Sequence, residues 1–255
     1  MLKPAVVPCL AGFIHHPSAT SMSATNKAVA FFALVLFTFS TPGCLDDLVD
    51  ETELYQGETS TVIMEIVHGE SAANATLTYT IEIELYHDLA PNHTDNFRKH
   101  AQQGNYDNVT FHRIIDDFMI QGGDFQNNDG SGGYAVQWYG YCNGEAMEQA
   151  SDCSSETLYT LPDEANNNLT HIPCMLSMAK TSQPNTGGSQ FFLLPEDAQH
   201  PQTGEQGTHW LDGIHTVFGK VISGCEHVTT LSEVATEGND GPVLPVIIVS
   251  ATASE

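Results

Sequence analysis

The chain has 255 residues, enough for one domain of about 190 residues with terminal extensions. Seven Lys and Arg against 32 Asp and Glu give a formal net charge of −25, which argues against nucleic-acid binding because phosphates would be repelled. The hydrophobic fraction of 41% suffices for a packed core, and the acidic balance indicates either a well-solvated surface or salty surroundings that screen self-repulsion.

An apolar run near the N-terminus, AVAFFALVLFTF at 28–39, is interrupted by a single threonine. The run is too short to span a bilayer, which takes about 20 residues. It fits the hydrophobic region of a signal peptide, with Lys27 as the charged residue before it. A short uncleaved anchor is the alternative interpretation, and both interpretations place the following domain outside the cytoplasm.

The segment STPGC at 40–44 resembles a prokaryotic lipoprotein signal, in which a lipid is attached to the cysteine, here Cys44. Thr41 stands where such signals usually carry leucine, and Met22 is a more typical start than the first residue. We therefore expect residues 1–44 to be an upstream extension and a signal peptide. The protein would be lipid-anchored at the outer face of the cell membrane, or secreted.

Residues 45–58 are acidic and lack periodicity, which predicts a flexible tether before a domain at 59–252. Helices are predicted from Pro91 to Gly104 and over about 225–236. Short strands are predicted at 61–67, 80–85, 159–161, 175–178, 190–194, 215–222 and 246–251. Many short strands with only two helices predict an all-β sandwich or barrel.

One stretch, FHRIIDDFMIQGGDF at 111–125, combines residues that an ordinary strand has no reason to combine. Arg113 stands among apolar neighbours in a chain that nearly avoids positive charge, and Gln121 and two glycines follow it. An arginine kept in such a run indicates a function. The alternative is an edge strand whose arginine extends to water.

Three further segments follow in order: MLSMAKT at 175–181, PNTGGSQFF at 184–192 and WLDGIHTVFGKV at 210–221. Together, the four segments resemble the cyclophilin family of peptidyl-prolyl isomerases, and the resemblance runs from about residue 61 to about residue 249. It implies an all-β fold, a closed eight-stranded antiparallel barrel with a helix over each open end. It also implies a binding groove on the outer wall of the barrel.

The resemblance assigns roles to residues of that groove. Arg113 matches the catalytic arginine, which remains a donor at every working pH, and Gln121 would hold the substrate backbone. The remaining matches are the proline socket, formed by Phe118, Met119, Phe192, Leu211 and His215; the backbone-contacting Ala179 and Gln190; and Trp210, the position used to bind cyclosporin. For single apolar residues of this set, core packing is the alternative, and for His215 it is a structural role.

The chain also departs from the family pattern in ways that bear on substrate preference. The departures are an Asp116–Asp117 pair in place of Pro-Gly, Lys180 and Thr181 in place of Asn-Ala, an extended loop at about 195–209 and an insert at about 134–157.

Four cysteines fall within the domain. Cys142 and Cys153 lie close together in the insert, and in an oxidising compartment a disulfide between them would stiffen it. Cys174 and Cys225 stand in apolar surroundings and are expected to be buried thiols. No cysteine spacing typical of a zinc site occurs, so neither a metal nor another cofactor is expected.

These patterns predict an exported, monomeric peptidyl-prolyl isomerase that assists the folding of secreted proteins. Its partners would be proline-containing polypeptides, with a cyclosporin-like macrocycle as a further ligand. The alternative is a module that binds proline-containing segments with little turnover. A hydrolase is disfavoured, because no serine or cysteine stands in a recognisable nucleophile motif.

Overall fold

A computed structural model describes residues 55–75 and 77–254. The predicted signal peptide, Cys44 and most of the tether lie outside the described residues. At the described end of the tether, the ring of Tyr55 lies 4.6 Å from that of Tyr86, centroid to centroid, and the N–H of Glu58 donates to a carboxylate oxygen of Asp88 at 3.1 Å. None of the helices in the described part of the chain is long and apolar enough to cross a membrane.

The domain is mostly β, with two α-helices and three short 3-10 turns at Ala150–Asp152, Glu156–Leu158 and His209–Leu211. In chain order the elements are β1 (Thr59–His68), β2 (Thr78–Tyr86), α1 (Pro91–Gln102), β3 (Val109–Thr110), β4 (Arg113–Ile115), β5 (Met119–Gly122), β6 (Tyr141–Cys142), β7 (Glu145–Ala146), β8 (Tyr159–Thr160), β9 (Met175–Met178), β10 (Phe191–Leu193), β11 (Val217–Ser223), α2 (Cys225–Ser232), β12 (Thr236–Glu237), β13 (Gly241–Pro242) and β14 (Val246–Ala253).

The main sheet is antiparallel, with nine strands in the order β3-β14-β1-β2-β11-β9-β10-β5-β4. Its two end strands, β3 and β4, are separated by only two residues of the chain, so the sheet curls back towards itself. Nine strands stand where eight were expected. A closed barrel remains a prediction. Two smaller sheets are a β12–β13 hairpin and a three-stranded sheet of β7, β6 and β8 within the insert.

The core lies on the concave side of this sheet. Alternation in β2 buries Ile81, Ile83 and Leu85, as the sequence pattern predicts, and β1 contributes a matching row of buried side chains. Phe97 of α1 enters the same core, with its ring centroid 5.1 to 5.4 Å from those of Tyr106, Phe191 and Phe218. From α2, Val228 and Leu231 are fully buried.

The two ends of α1 and the start of α2 have identifiable physical causes. Pro91 occupies the first turn of α1, where a missing N–H is harmless, and Gly104 follows the helix with φ +70°. The carboxylate of Glu164 accepts the backbone N–H groups of Asn92 and His93, which satisfies two donors at the N-terminus of α1. Before α2, Gly224 has φ +82°, and a Cβ there would collide with a neighbouring carbonyl oxygen.

The described residues contain two disulfides, one local and one between distant parts of the chain. Cys142 is bonded to Cys153 within the insert, the pairing expected from their proximity in sequence. Cys174 is bonded to Cys225, so the expectation of two buried thiols was wrong. The curled sheet brings the residue before β9 beside the first residue of α2, a proximity that their sequence separation of 51 does not reveal.

Candidate active site

A pocket of about 260 Å³ opens on the outer face of the curled sheet, opposite the core. It is lined by Arg113, Phe118, Met119, Gln121, Ala179, Lys180, Phe192, Leu211 and His215. Eight of the ten residues predicted for catalysis and substrate binding therefore lie around one hollow. The other two, Gln190 and Trp210, border it, as described below.

Strand register explains how these side chains meet. Arg113 of β4 pairs with Gln121 of β5, which pairs with Phe192 of β10, which pairs with Ser177 of β9. Paired residues of antiparallel strands point to the same face, so this row lies on the face opposite the main core, where Phe192 belongs to a second, smaller buried cluster. The adjacent row, from Ile114 across the same strands, is buried in the core. The arginine thus stands among apolar residues because successive side chains alternate between faces.

The guanidinium of Arg113 lies at a boundary between two hollows. Its Nε donates to Oδ2 of Asp240 at 3.2 Å. On one side it lines the 260 Å³ pocket, and on the other a cavity of about 860 Å³ that also contains Asp129, Glu237 and Asp240. The side chain is 41% exposed, so it is accessible to a ligand while lying against the hollow rather than away from it.

Two amide side chains are connected in series beside the arginine. The Nε2 group of Gln121 donates to Oε1 of Gln190 at 2.9 Å. Gln190 donates in turn to the carbonyl oxygens of Gly130 and Gly132, at 2.9 and 2.6 Å. These bonds fix the orientation of both amides, because each nitrogen must face its acceptor. Gln190 therefore acts at the border of the pocket and orients Gln121.

A buried carboxylate organises the glycine-rich loop that receives these bonds. Asp124 is fully buried and accepts backbone N–H groups of residues 126, 127, 129, 130 and 132. Burial alone would raise the pKa of Asp124, but the N–H donors outweigh it and lower the pKa below its ordinary value. Sequence reasoning missed this role. The signal was available, because Asp124 follows two glycines and precedes a Gly-rich segment.

The floor of the pocket rests on a second polar network. The ring of Phe192 stacks on that of His171, with centroids 5.9 Å apart and planes 13° from parallel. Nδ1 of His171 lies 2.7 Å from Oδ1 of Asp212, and Nε2 lies 2.9 Å from the hydroxyl of Ser177. That hydroxyl also lies 3.0 Å from the carbonyl oxygen of Thr216.

Serine, histidine and aspartate in this order have the connectivity of a hydrolytic triad. Ser177 has no exposed surface, however, so a substrate does not reach its hydroxyl. The trio is therefore structural. The trio could not be predicted from a local sequence motif, because Ser177 and Asp212 lie far apart in the chain.

His215 forms one edge of the pocket. Its ring lies 5.7 Å from Phe192 at an edge-on angle of 78°, and its Nδ1 donates to the carbonyl oxygen of Met178 at 2.9 Å. Burial lowers the pKa of His215, although the carbonyl bond acts in the opposite direction. The ring is therefore neutral at pH 7, which fits a wall of an apolar socket better than a general base.

Trp210 lies beside the pocket rather than in it. Its ring is 5.4 Å from that of Phe118 and 4.8 Å from that of His200, which belongs to the extended loop. Together with Asp116 and Asp117, these residues line a cavity of about 640 Å³ next to the socket. Asp117 has φ +57°, a conformation that the glycine of a Pro-Gly pair adopts readily and aspartate tolerates.

The insert forms a wall of a further hollow. A cavity of about 530 Å³ is lined by residues 143–145 and 157–160 of the insert region, by the loop at 130–133, and by Lys180 and Gln190. Gln121 and Ala179 line both this cavity and the 260 Å³ pocket. The groove therefore continues past the pocket towards the disulfide-bonded insert.

Within the described residues, one cluster has donor atoms close enough for a metal: Cys174, Glu196 and Cys225. Both cysteines are joined in a disulfide and offer no thiolate, so the cluster does not have the ligands that a metal ion requires.

Comparison with known proteins identifies the family. A family model described as "Cyclophilin type peptidyl-prolyl cis-trans isomerase/CLD" matches residues 74–253. The chain is 36% identical over 174 residues to peptidyl-prolyl cis-trans isomerase ppi1 of Schizosaccharomyces pombe, covering 68% of this chain and 92% of that protein. It is 41% identical over 162 residues to peptidyl-prolyl cis-trans isomerase-like 1 of Rhizopus delemar, covering 63% and 79%.

Another relative is much longer. Peptidyl-prolyl cis-trans isomerase 9 of Schizosaccharomyces pombe is 37% identical over 186 residues, 72% of this chain and 25% of that protein. The chain thus spans about a quarter of that relative and most of the length of the shorter ones. The chain belongs to the cyclophilin family and is a peptidyl-prolyl cis-trans isomerase.

Proposed function

We propose that the groove around Arg113 catalyses rotation about X–Pro bonds by binding the twisted amide more tightly than either planar isomer. The barrier arises from the partial double-bond character of C–N and amounts to about 18–20 kcal/mol. No covalent bond breaks, so differential binding is sufficient for catalysis. During rotation the prolyl nitrogen regains its lone pair and becomes a hydrogen-bond acceptor, which a fixed donor stabilises.

Arg113 is the donor in this proposal. A guanidinium offers five N–H donors and no acceptor, and Nε of Arg113 is already bonded to Asp240, which leaves the Nη groups for substrate. Shortening isomerisation from about 100 s to about 1 ms requires about 7 kcal/mol. One charged hydrogen bond supplies about 1.5–3 kcal/mol. The apolar socket and the hold exerted by Gln121 would supply the rest, by excluding water and fixing one side of the peptide.

A single observation supports this assignment most strongly. Arg113 and Gln121 are directly opposite each other in the β4–β5 pair, and both line the pocket that Phe118, Met119 and Phe192 make apolar. Adjacent strands thus carry the proposed donor and the proposed backbone hold, which limits their relative motion, while turn and loop residues such as Phe118, Leu211 and His215 complete the hollow.

The test uses the two arginines of the chain, Arg98 and Arg113. Arg113→Ala should lower kcat/KM for an X–Pro peptide by on the order of ten- to a hundredfold, the equivalent of one charged hydrogen bond. Arg98→Ala removes the same group from α1, outside the groove, and should leave kcat/KM unchanged. Equal activity of the wild type and Arg113→Ala would contradict the assignment.

The second candidate is a proline-binding module with little turnover. It is favoured by the large cavities that flank the pocket, since these offer more surface than one prolyl bond requires. Measuring peptide affinity together with the catalysed exchange rate separates the two. Tight binding with a rate near that of the uncatalysed peptide would support the module.

We also propose that the protein is exported and acts on exported polypeptides. Support comes from the apolar run at 28–39 and the cysteine at position 44, and from two disulfides, which are typical of oxidising compartments. A mature N-terminus at a lipid-modified Cys44 in mass spectra of purified membranes would bear out the lipoprotein form. An intact N-terminus in the cytosolic fraction would contradict export.

Three finer expectations belong to the same proposal. We propose that the curled sheet closes into an eight-stranded barrel, with β3 and β4 counted as one interrupted strand; their separation by two residues supports this. Trp210, partly exposed beside the socket, would contribute to binding a cyclosporin-like macrocycle, which should compete with peptide. The enzyme would act as a monomer, because one chain supplies every residue of the groove; sedimentation at micromolar concentration tests this.

A further inference from the structure

Arg113 is held by a residue that the sequence analysis did not single out. Within residues 55–75 and 77–254, Asp240 is the only ion-pair partner of Arg113, with 3.2 Å between Nε and Oδ2. A guanidinium has five N–H donors in one plane, and Nε lies at the inner edge of that plane. A bond at Nε therefore fixes the plane while leaving both Nη groups at the outer edge.

Asp240 is itself fixed in place. It lies in the turn of the β12–β13 hairpin with φ +63°, a conformation that aspartate, asparagine and glycine adopt more readily than other residues. Its carbonyl oxygen accepts the N–H of Ile114 at 2.8 Å. Main chain and side chain of Asp240 are thus bonded to two consecutive residues of β4, so a shift of the hairpin would displace the guanidinium.

We propose that Asp240 is a positioning residue for catalysis, acting through Arg113. The inference rests on the proposed role of Arg113 as the donor to the prolyl nitrogen. Without the carboxylate, the long arginine side chain would sample several rotamers, and its Nη groups would point at the twisted amide for only part of the time. With the carboxylate, the donor is oriented before substrate arrives.

If the Arg113–Asp240 pair served only the stability of the fold, breaking it would lower the unfolding temperature. The two side chains are 41% and 46% exposed, and exposed ion pairs contribute little to stability. Breaking the pair should therefore leave the unfolding temperature nearly unchanged while lowering the catalysed rate. This combination separates positioning from a structural contribution.

Two substitutions at position 240 and one control isolate the effect. Asp240→Gly removes the carboxylate and accepts the positive φ, so backbone strain does not confound the result. Asp240→Asn also tolerates this φ and keeps an oxygen that accepts from Nε, but carries no charge. Glu233→Gln removes one negative charge just before the same hairpin, at an exposed position that lines none of the cavities described above.

The readout is the exchange rate of an X–Pro peptide at saturation, measured by NMR together with peptide affinity. Asp240→Gly should lower the rate by on the order of tenfold, with affinity changed by less than about twofold, because the lost alignment matters chiefly in the transition state. Asp240→Asn should recover most of the rate. Glu233→Gln should match the wild type.

A double-mutant cycle completes the test. If Asp240 acts through Arg113, Asp240→Gly should cause no further loss in an Arg113→Ala background. If Asp240→Gly lowers the rate by the same factor in both backgrounds, the inference is overturned. It is also overturned if Asp240→Gly leaves the rate unchanged, or if peptide affinity falls by as much as the rate does. If Arg113→Ala is slow and Asp240→Gly is fast, only the positioning role fails. If the wild type does not accelerate exchange, the proposed function itself fails.

Discussion

Breaking the Cys174–Cys225 disulfide is expected to destabilise the domain strongly. The bond joins the residue before β9 to the first residue of α2 and spans a sequence separation of 51. Closing a loop of that length lowers the entropy of the unfolded chain by the equivalent of about 4 kcal/mol at 25 °C. For a domain of this size, that corresponds to about 8–16 °C in Tm.

The variant for this test is Cys225→Ala. Cys225 is the first residue of α2, where alanine is a good helix former, so the substitution removes the bond without adding local strain. Cys142→Ala is the matched control: its disulfide spans a separation of 11, within the insert and its small separate sheet. The shorter loop corresponds to about 3 kcal/mol in the same relation, and the insert opens without unfolding the curled sheet.

Calorimetric unfolding of the oxidised proteins gives the comparison. Cys225→Ala should lower Tm by about 8–16 °C, and Cys142→Ala by clearly less. A Cys225→Ala protein that unfolds within about 2 °C of the wild type would show that the cross-link does not restrain the unfolded chain as argued.

Three further outcomes are expected. Burial lowers the pKa of fully buried His100 to about 4, whereas an unfolded histidine titrates near 6.5. The unfolded state therefore binds more protons between these pH values, and the free energy of unfolding should fall by up to about 3 kcal/mol as pH drops through this window. Urea titrations of His100→Gln should show a shallower fall, and an unchanged slope would contradict the assignment. Asp124→Asn places an amide nitrogen where the loop needs an acceptor, so the domain should lose about 3 kcal/mol and peptide exchange should slow; wild-type values in both would refute the role of the loop. Acidic side chains line the cavities that flank the socket, Asp129 and Glu237 on one side and Asp116 and Asp117 on the other. Peptides with lysine near proline should therefore show a higher kcat/KM than peptides with glutamate there. The difference should shrink at about 1 M salt, where the Debye length is about 3 Å, and its persistence there would count against an electrostatic cause.

The proposed catalytic surface was accessible to sequence reasoning because it is built mainly from contiguous segments. Residues 111–125 alone supply two of the strands that meet in the pocket, β4 and β5. Arg113 and Gln121 therefore become neighbours through a short local hairpin. The match of several segments in the family order supplied the remaining members, including Phe192 and His215.

Residues that act through long-range contacts escaped prediction. Asp240 meets Arg113 only because the β12–β13 hairpin folds against β4, and the two are 127 positions apart. Cys174 and Cys225 meet for a similar reason. Neither residue type nor spacing encodes such pairings, since they depend on strand register and on how the sheet curls. The second helix was expected to run to about residue 236, but α2 ends at Ser232 and the β12–β13 hairpin begins at Thr236, so the hairpin itself was not predicted.

The number of strands also could not be predicted from local sequence patterns alone. Alternation in β2 predicted its buried face correctly, since a strand with one face in the core must alternate. The strands β3 and β4 are only two and three residues long, too short for any periodicity to register. Counting them requires the hydrogen bonds themselves, so a local pattern does not decide between eight and nine strands.

The most direct test measures whether Arg113 stabilises the twisted amide more than it stabilises the planar cis and trans isomers. NMR exchange on wild type and Arg113→Ala gives the affinity of the cis and trans peptides and the rate of their interconversion on the enzyme. We expect the on-enzyme rate to fall by about ten- to a hundredfold, while both affinities change by less than about threefold. Affinities that fall as much as the rate would mean that the guanidinium binds all forms of the peptide alike, and the mechanism proposed for this groove would be wrong.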